Sequence, residues 1–216
     1  MARCTKEEAL ATRHRLLDAA EHVFSEKGVS RSSLNDIALA AGVTRGAIYW
    51  HFKNKTDLFH AMMERITMPM EDVLHQIQEE GDADPLDQLQ RALIEALRKI
   101  ETDAQTRRVF EVAILKVEYV EEQIELQDRH RQSRDSAVQQ MQYRLEQACM
   151  RRGVTLPLPA AAAAQGLHAL MDGLIRNWLL APTVFGLVEV AQATMQVYLV
   201  GLGLRSDAVM GEQAIP

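Results

Sequence analysis

Apolar residues recur every three or four positions along almost the whole chain and nowhere alternate convincingly with period two, so the pattern predicts an all-α protein of about nine helices. Thr5 followed by Glu8 reads as a capping box, and Leu16, Leu17, Ala20, Val23 and Phe24 then form one stripe that Gly28 ends. A short second helix opens at Ser33, with Asp36 three residues on. It turns Leu34, Ile37, Ala38 and Ala41 inward and stops at Gly42, where a left-handed conformation is cheapest. Thr44 caps a third short helix over 45–52, anchored by Ile48 and Phe52 one turn apart.

A fourth helix is predicted from near Asn54, with Asp57 in its first turn and a stripe of Leu58, Met62, Ile66, Met70, Val73, Leu74 and Ile77 that continues past Pro69, where a kink is expected. The segment GDADP at 81–85 is the clearest break in the chain. After it come a fifth helix carrying Leu86, Leu89, Leu93, Leu97 and Ile100 and a sixth carrying Val109, Phe110, Ala113, Ile114 and Val117. A long polar seventh helix covers roughly 121–152, its apolar positions Ile124, Val138, Met141, Leu145 and Cys149 scattered among charges, and Gly153 closes it. The last third differs in kind. The eighth helix shows Leu167, Leu170, Met171, Leu174, Ile175, Trp178 and Leu179, and the ninth, from about Phe185, shows Leu187, Ala191, Thr194, Met195, Tyr198 and Leu202. Both are too apolar for one wet face, which points to a homodimer formed through helices 8 and 9 rather than to burial wholly within one chain.

Composition changes this picture mainly by exclusion. With 216 residues, 47% hydrophobic and 25% charged, the chain has the balance of a globular protein and enough length for a core without disulfide or metal support. Cys4 and Cys149 lie far apart in no ligand-like spacing, so no metal site and no disulfide are expected, and a reducing, cytoplasmic location follows. No apolar run reaches the roughly 18 residues of a membrane span, and the polar N-terminus is not a signal peptide, so no membrane partner is expected. The net charge of −6 hides an asymmetry: residues 1–56 hold nine Lys/Arg against six Asp/Glu, and the remainder holds 15 against 24. A basic head can approach phosphate while an acidic body is repelled by it.

The candidate chemistry lies in that head. Two short helices joined by Gly42-Val43-Thr44 have the lengths and spacing of a helix-turn-helix, whose second helix enters the major groove of double-stranded DNA. If Ile48 and Phe52 point inward, a rotation of about 100° per residue puts Trp50 opposite them, Tyr49 and His51 on the flanks and Gly46 outward. Packing of Tyr49 and Trp50 on neighbouring helices is the competing reading. Three features weigh against it. Gly46 inside a helix costs about 1 kcal/mol relative to Ala, which makes sense where another backbone comes close. Arg45 stands in the first turn and can pair bidentately with guanine. Lys53 and Lys55 flank the start of the fourth helix, an arrangement that suits phosphate.

The run GVTRGAIYWHFKNKTDLF at 42–59, with TKEEA and SSLNDIALAAGV before it, resembles the signature of the TetR family of transcriptional repressors. TRGAIYWHFKNK and DGLIRNWLL at 172–180 are most similar to its AcrR/TtgR-type branch of multidrug efflux regulators. The resemblance implies a helix-turn-helix DNA-binding domain over 1–54, a ligand-binding and dimerisation domain over 55–210 and a palindromic operator released by small hydrophobic or aromatic inducers. No cofactor and no catalysis are implied. It assigns Ser33, Tyr49, His51 and Lys55 to phosphate contacts, with Thr44 beside the backbone, and sets Arg45, Gly46 and Ala47 at base edges.

In the body, His168, Asp172 and Arg176 fall at i, i+4 and i+8 on one stripe of the eighth helix. The spacing leaves open a plain Asp172–Arg176 helix ion pair or polar purchase inside an apolar cavity. An Asp near a His also invites a catalytic reading, but no nucleophile motif, Gly-rich phosphate loop or HExxH accompanies it. The cavity walls expected from the resemblance are Leu93, Leu97, Phe110, Ile114, Val117, Met141, Leu145, Met171 and Ile175, each of which is also an ordinary core candidate.

Overall fold

The computed structural model describes residues 6–78, 83–117 and 124–205, with side chains outside 68–78 and 124–130. Among these residues there are nine α-helices and no strand: α1 (Lys6–Lys27), α2 (Leu34–Ala40), α3 (Arg45–His51), α4 (Lys55–Gln78), α5 (Pro85–Thr102), α6 (Ala104–Leu115), α7 (Ile124–Arg152), α8 (Ala160–Leu180) and α9 (Leu187–Gly201). The all-α reading holds. The cap expected at Thr5, and the side chains of the stripe residues Met70, Val73, Leu74 and Ile77 and of Ile124, lie outside what is described. So does any kink set by the Pro69 ring; the helical backbone itself runs on through that position. No described helix is long and apolar enough to cross a membrane.

Packing divides the chain into two compact units. The first holds α1, α2, α3, α4 as far as Asp72, and the segment from Asp103 to Arg129 with α6; the second holds Val73–Thr102 and everything from His130 on. This cuts the chain elsewhere than the functional boundary expected after residue 54, because α6 packs with the head. In the first unit Leu16, Leu17, Ala20 and Phe24 of α1 meet Ile37 of α2, Ile48 of α3, Leu58 and Met62 of α4 and Val109 and Val112 of α6, all fully buried. One charge sits among them. Glu21, on the same stripe as Leu17 and Phe24, is 1% exposed; its carboxylate accepts from Arg65 of α4 and from Gln105 Nε2 of α6 at 3.0 Å, and Arg108 lies 3.7 Å away. Buried charge is tolerated there because it is paired and hydrogen-bonded.

In the second unit Leu86 and Ile100 of α5, Leu145 of α7, Ala163, Ala164 and Leu167 of α8 and Leu187, Ala191 and Leu199 of α9 form the core. Gly186, the N-cap of α9, has no side chain to cap it, and Glu101 of α5 supplies the missing acceptor to the Leu187 amide at 2.6 Å. Tyr198 of α9 donates its hydroxyl to the carbonyl of Ala163 at 2.8 Å, lying across Gly166 of α8, where a Cβ would collide with it.

Candidate DNA-reading interface

The turn between α2 and α3 is built on Gly42, whose φ of +66° places it in the left-handed region. The Gly42 amide donates to Leu39 O at 3.1 Å and the Val43 amide to Ala38 O at 3.0 Å, so the chain reverses tightly and sets Thr44 at the head of α3. Thr44 Oγ1 accepts from the Ala47 amide at 3.2 Å, the cap expected of it. Ile48 is wholly buried and Phe52 2% exposed, and this pair fixes the rotation of the helix. The opposite face is open: Trp50 is 75% and Tyr49 49% exposed, Arg45 and Gly46 are exposed, and Ala47 and His51 are half-buried. The alternative in which Tyr49 and Trp50 pack on neighbouring helices is thereby overturned. A Cβ at Gly46 would meet only Thr44 Oγ1, 4.0 Å away, so nothing inside the chain requires glycine there.

The outward side chains brace one another. The Arg45 guanidinium lies over the Tyr49 ring at 5.7 Å, and Trp50 meets His51 edge-on at 4.7 Å. Desolvation, and then the positive charge of Arg13, push His51 below its ordinary pKa of 6.5, which favours the neutral ring. Arg13 was not singled out from the sequence. It stands over Phe52 at 5.3 Å, and its place three and four residues before Leu16 and Leu17 was the available signal. Leu39, 79% exposed on α2, also went unnoticed, since a lone outward leucine leaves no mark on the stripe.

Around this helix the polar groups are largely engaged within the chain. Ser33 forms the full capping box: its Oγ accepts from the Asp36 amide at 3.1 Å, and Asp36 accepts from the Ser33 amide at 2.9 Å and hydroxyl at 2.5 Å. Those bonds, and Lys27 at 2.9 Å, hold the Asp36 carboxyl down at about 2. Lys53 is exposed, its amide donating to Asp57 at 2.9 Å, while Asn54 Oδ1 accepts from the Asp57 amide at 2.7 Å and so caps the start of α4. Lys55 is half-buried, and its ammonium donates to Ser30 O at 3.0 Å and Ser32 O at 2.9 Å.

The residues expected to line a cavity are spread over both units. In the second, Leu97, Met141, Leu145 and Met171 are buried, and Leu93, His168 and Ile175 half-buried. Asp172 and Arg176 are exposed, and no ion pair joins them, so the helix-pair reading fails. In the first, Phe110, Ile114 and Val117 are half-buried, with Phe110 and Val117 packed against the head core.

Residues 16–62 match the family model for bacterial regulatory proteins of the tetR family, and residues 84–203 that for the C-terminal region of MAATS-type transcriptional repressors. The HTH-type transcriptional regulator TtgR of Pseudomonas putida is 41% identical over 187 residues, covering 84% of this chain and 87% of its own. Among solved structures, NalD, the secondary repressor of the MexAB-OprM multidrug efflux pump in Pseudomonas aeruginosa, aligns with a TM-score of 0.82 at 34% identity over 90% of this chain and 98% of its own. A complex of SmeT with triclosan aligns at 0.79 and 28% identity over 95% and 97%; SmeT is the repressor of the Stenotrophomonas maltophilia pump SmeDEF. These relatives are transcriptional regulators, not enzymes, and agree with the resemblance carried by GVTRGAIYWHFKNK and DGLIRNWLL. The chain belongs to the TetR family of bacterial transcriptional regulators.

Proposed function

We propose that the protein is a ligand-responsive repressor that binds a palindromic operator as a homodimer, is released by small, mostly apolar molecules, and controls a multidrug efflux operon. The observation that carries this reading is the outward face of α3. An aromatic as large as Trp50, three-quarters exposed beside Tyr49 and Arg45, is out of place on a face meant for water alone. In this arrangement Arg45, Gly46 and Ala47 meet base edges, Tyr49, Trp50, His51 and Lys53 meet the backbone, and Ser33 and Thr44 frame the two helix starts. Dimerisation uses α8 and α9, whose Leu180, Val184 and Val197, on and just after α8 and on α9, are apolar and more than half exposed in the single chain. Ligand is held in the second unit by Leu93, Leu97, Met141, Leu145, Met171 and Ile175, with His168, Asp172 and Arg176 supplying polar contacts. The efflux assignment rests on what TtgR, NalD and SmeT are, and the apolar ligand class on SmeT having been crystallised with triclosan.

The test is a gel shift on the DNA upstream of the protein's own gene, repeated with triclosan and with a hydrophobic dye. The wild type is expected to retard that fragment and to release it as either compound is added. Arg45→Ala is expected to lose about 1–3 kcal/mol of discrimination between operator and scrambled DNA. No retardation at low ionic strength would end the reading, and a complex indifferent to every compound would leave a helix-turn-helix protein without the ligand switch.

A further inference from the structure

Of the three residues set against base edges in the proposed arrangement, Arg45, Gly46 and Ala47, only the first has a side chain that can form a hydrogen bond. We propose that Gly46 and Ala47 read the 5-methyl group of a thymine, so that each half of the operator carries an A·T pair close to the G·C pair met by Arg45. The inference rests on the reading that α3 enters the major groove, and it names the chemistry read at that site.

With Ile48 wholly buried and Phe52 2% exposed, a rotation of about 100° per residue sets Arg45 and Tyr49 on one flank of α3 and Ala47 and His51 on the other. Gly46 and Trp50 then share the line farthest from the core. That line is bare at Gly46. Among the described residues, a Cβ built there has only Thr44 Oγ1 within 4 Å, at 4.0 Å, so the backbone lies open in a notch. Arg45, drawn over the Tyr49 ring at 5.7 Å, stands to one side of it, the Ala47 methyl to the other, and the exposed Trp50 one turn on. Thr44 Oγ1 already accepts from the Ala47 amide at 3.2 Å. In the major groove guanine, cytosine and adenine are told apart by donors and acceptors, for which Gly46 and Ala47 have no side-chain partner. Thymine alone adds an apolar projection. Its methyl, set against Cα of Gly46 and Cβ of Ala47, leaves water without depriving any polar side chain of a partner. A side chain at 46 would fill the notch first. The methyl thus accounts for a glycine whose cost to the helix nothing inside the chain explains.

Deoxyuridine, which pairs as thymidine does and lacks only the methyl, supplies the test. Fluorescence anisotropy gives the affinities of the wild type and of Gly46→Ala for the fragment upstream of the protein's own gene. The fragment is made first with thymidine throughout, then with deoxyuridine at one symmetry-related pair of thymidines at a time. A buried methyl is worth about fourfold, so the wild type should lose roughly 15-fold at one such pair and little at the others. Gly46→Ala, whose Cβ takes the volume of that methyl, should bind the thymidine fragment more weakly than the wild type does. On deoxyuridine substitution at the same pair it should gain affinity instead of losing it. Cytosine there should cost the wild type more than deoxyuridine does, and 5-methylcytosine should recover about fourfold per half-site. A wild type indifferent to deoxyuridine at every position would overturn the proposal. So would a deoxyuridine loss of the same size in Gly46→Ala, which would put the methyl contact elsewhere on the protein. Both results leave the wider DNA-binding reading standing; that reading falls, and this proposal with it, if the wild type fails to bind even the thymidine fragment at low ionic strength.

Discussion

At Gly46 stability and function pull apart. Glycine within a helix costs about 1 kcal/mol relative to alanine, and a methyl group there would touch only Thr44 Oγ1. Gly46→Ala is therefore expected to raise the denaturation midpoint while weakening operator binding; a variant that gains stability and binds as wild type would show that no backbone or base approaches this point. His51 offers a second test, through pH. Its folded pKa lies below 6.5 because desolvation and Arg13 disfavour the imidazolium. The contribution of the neutral ring to folding is thus fully present above 6.5 and is lost as pH falls through the depressed value. A DNA phosphate beside the ring would act in the opposite direction, favouring the charged form, so binding takes up a proton. Operator affinity at fixed ionic strength should then rise as pH falls through the neutral range toward the depressed value of the free protein, and His51→Gln should flatten that rise. An identical pH profile in the two proteins would remove His51 from the backbone contact.

At the scale of elements, α8 and α9 are held together by an arrangement that tolerates no side chain at one position. Tyr198 reaches over Gly166 to the carbonyl of Ala163, and an added Cβ at 166 would strike the hydroxyl while standing 3.2 Å from Cζ. Gly166→Ala forces the ring to release Ala163, so it should cost about 1–3 kcal/mol in urea unfolding despite alanine's better helix propensity. Tyr198→Phe should cost about 1 kcal/mol, and the double variant less than the sum, because the hydroxyl that clashes is the one already removed. Strict additivity would mean that ring and glycine do not meet. Neither partner of this lock stands out in the sequence, where Tyr198 reads as one more stripe residue and Gly166 as one more small residue in an alanine run. What was legible there is local. Thr44, Ile48 and Phe52 specify α3 by spacing alone, and with its rotation fixed the exposure of Trp50 and Tyr49 follows. Ser33 and Asp36 likewise declare their box at i, i+3. Contacts between distant segments leave no such spacing. Nothing near residue 55 reveals that its ammonium turns back to Ser30 and Ser32, and nothing near residue 116 that its carbonyl braces Val29. Glu21 lies between these cases: a carboxylate on an apolar stripe announces a buried partner, but not that Arg65, Gln105 and Arg108 are the ones.

For the whole molecule, charge and thermodynamics together limit how a repressor of this kind can switch. Residues 1–56 carry a net positive charge and the remainder a strongly negative one, so on the proposed reading DNA is drawn to the first segment and repelled by the rest. A ligand bound in the second unit therefore has no direct quarrel with DNA, and it can release the operator only by favouring states of the dimer whose two recognition helices miss successive major grooves, about 34–36 Å apart. Such an effect is reciprocal. If ligand weakens operator binding by some factor, operator must weaken ligand binding by the same factor, because both report one coupling free energy, ordinarily about 1–3 kcal/mol. Titrating triclosan, or any compound that dissolves the complex in the gel shift, into free protein and into protein saturated with operator should thus give ligand affinities that differ by about 5–150-fold. The measurement has to be made below the ligand concentration at which DNA dissociates, with anisotropy reporting the bound fraction throughout. Equal ligand affinity in the two titrations, alongside a complex that the compound still dissolves, would mean that it acts on the DNA and not through any site on the protein, and the ligand switch would fall; a ligand affinity abolished outright by operator would instead point to competition for the DNA face of α3.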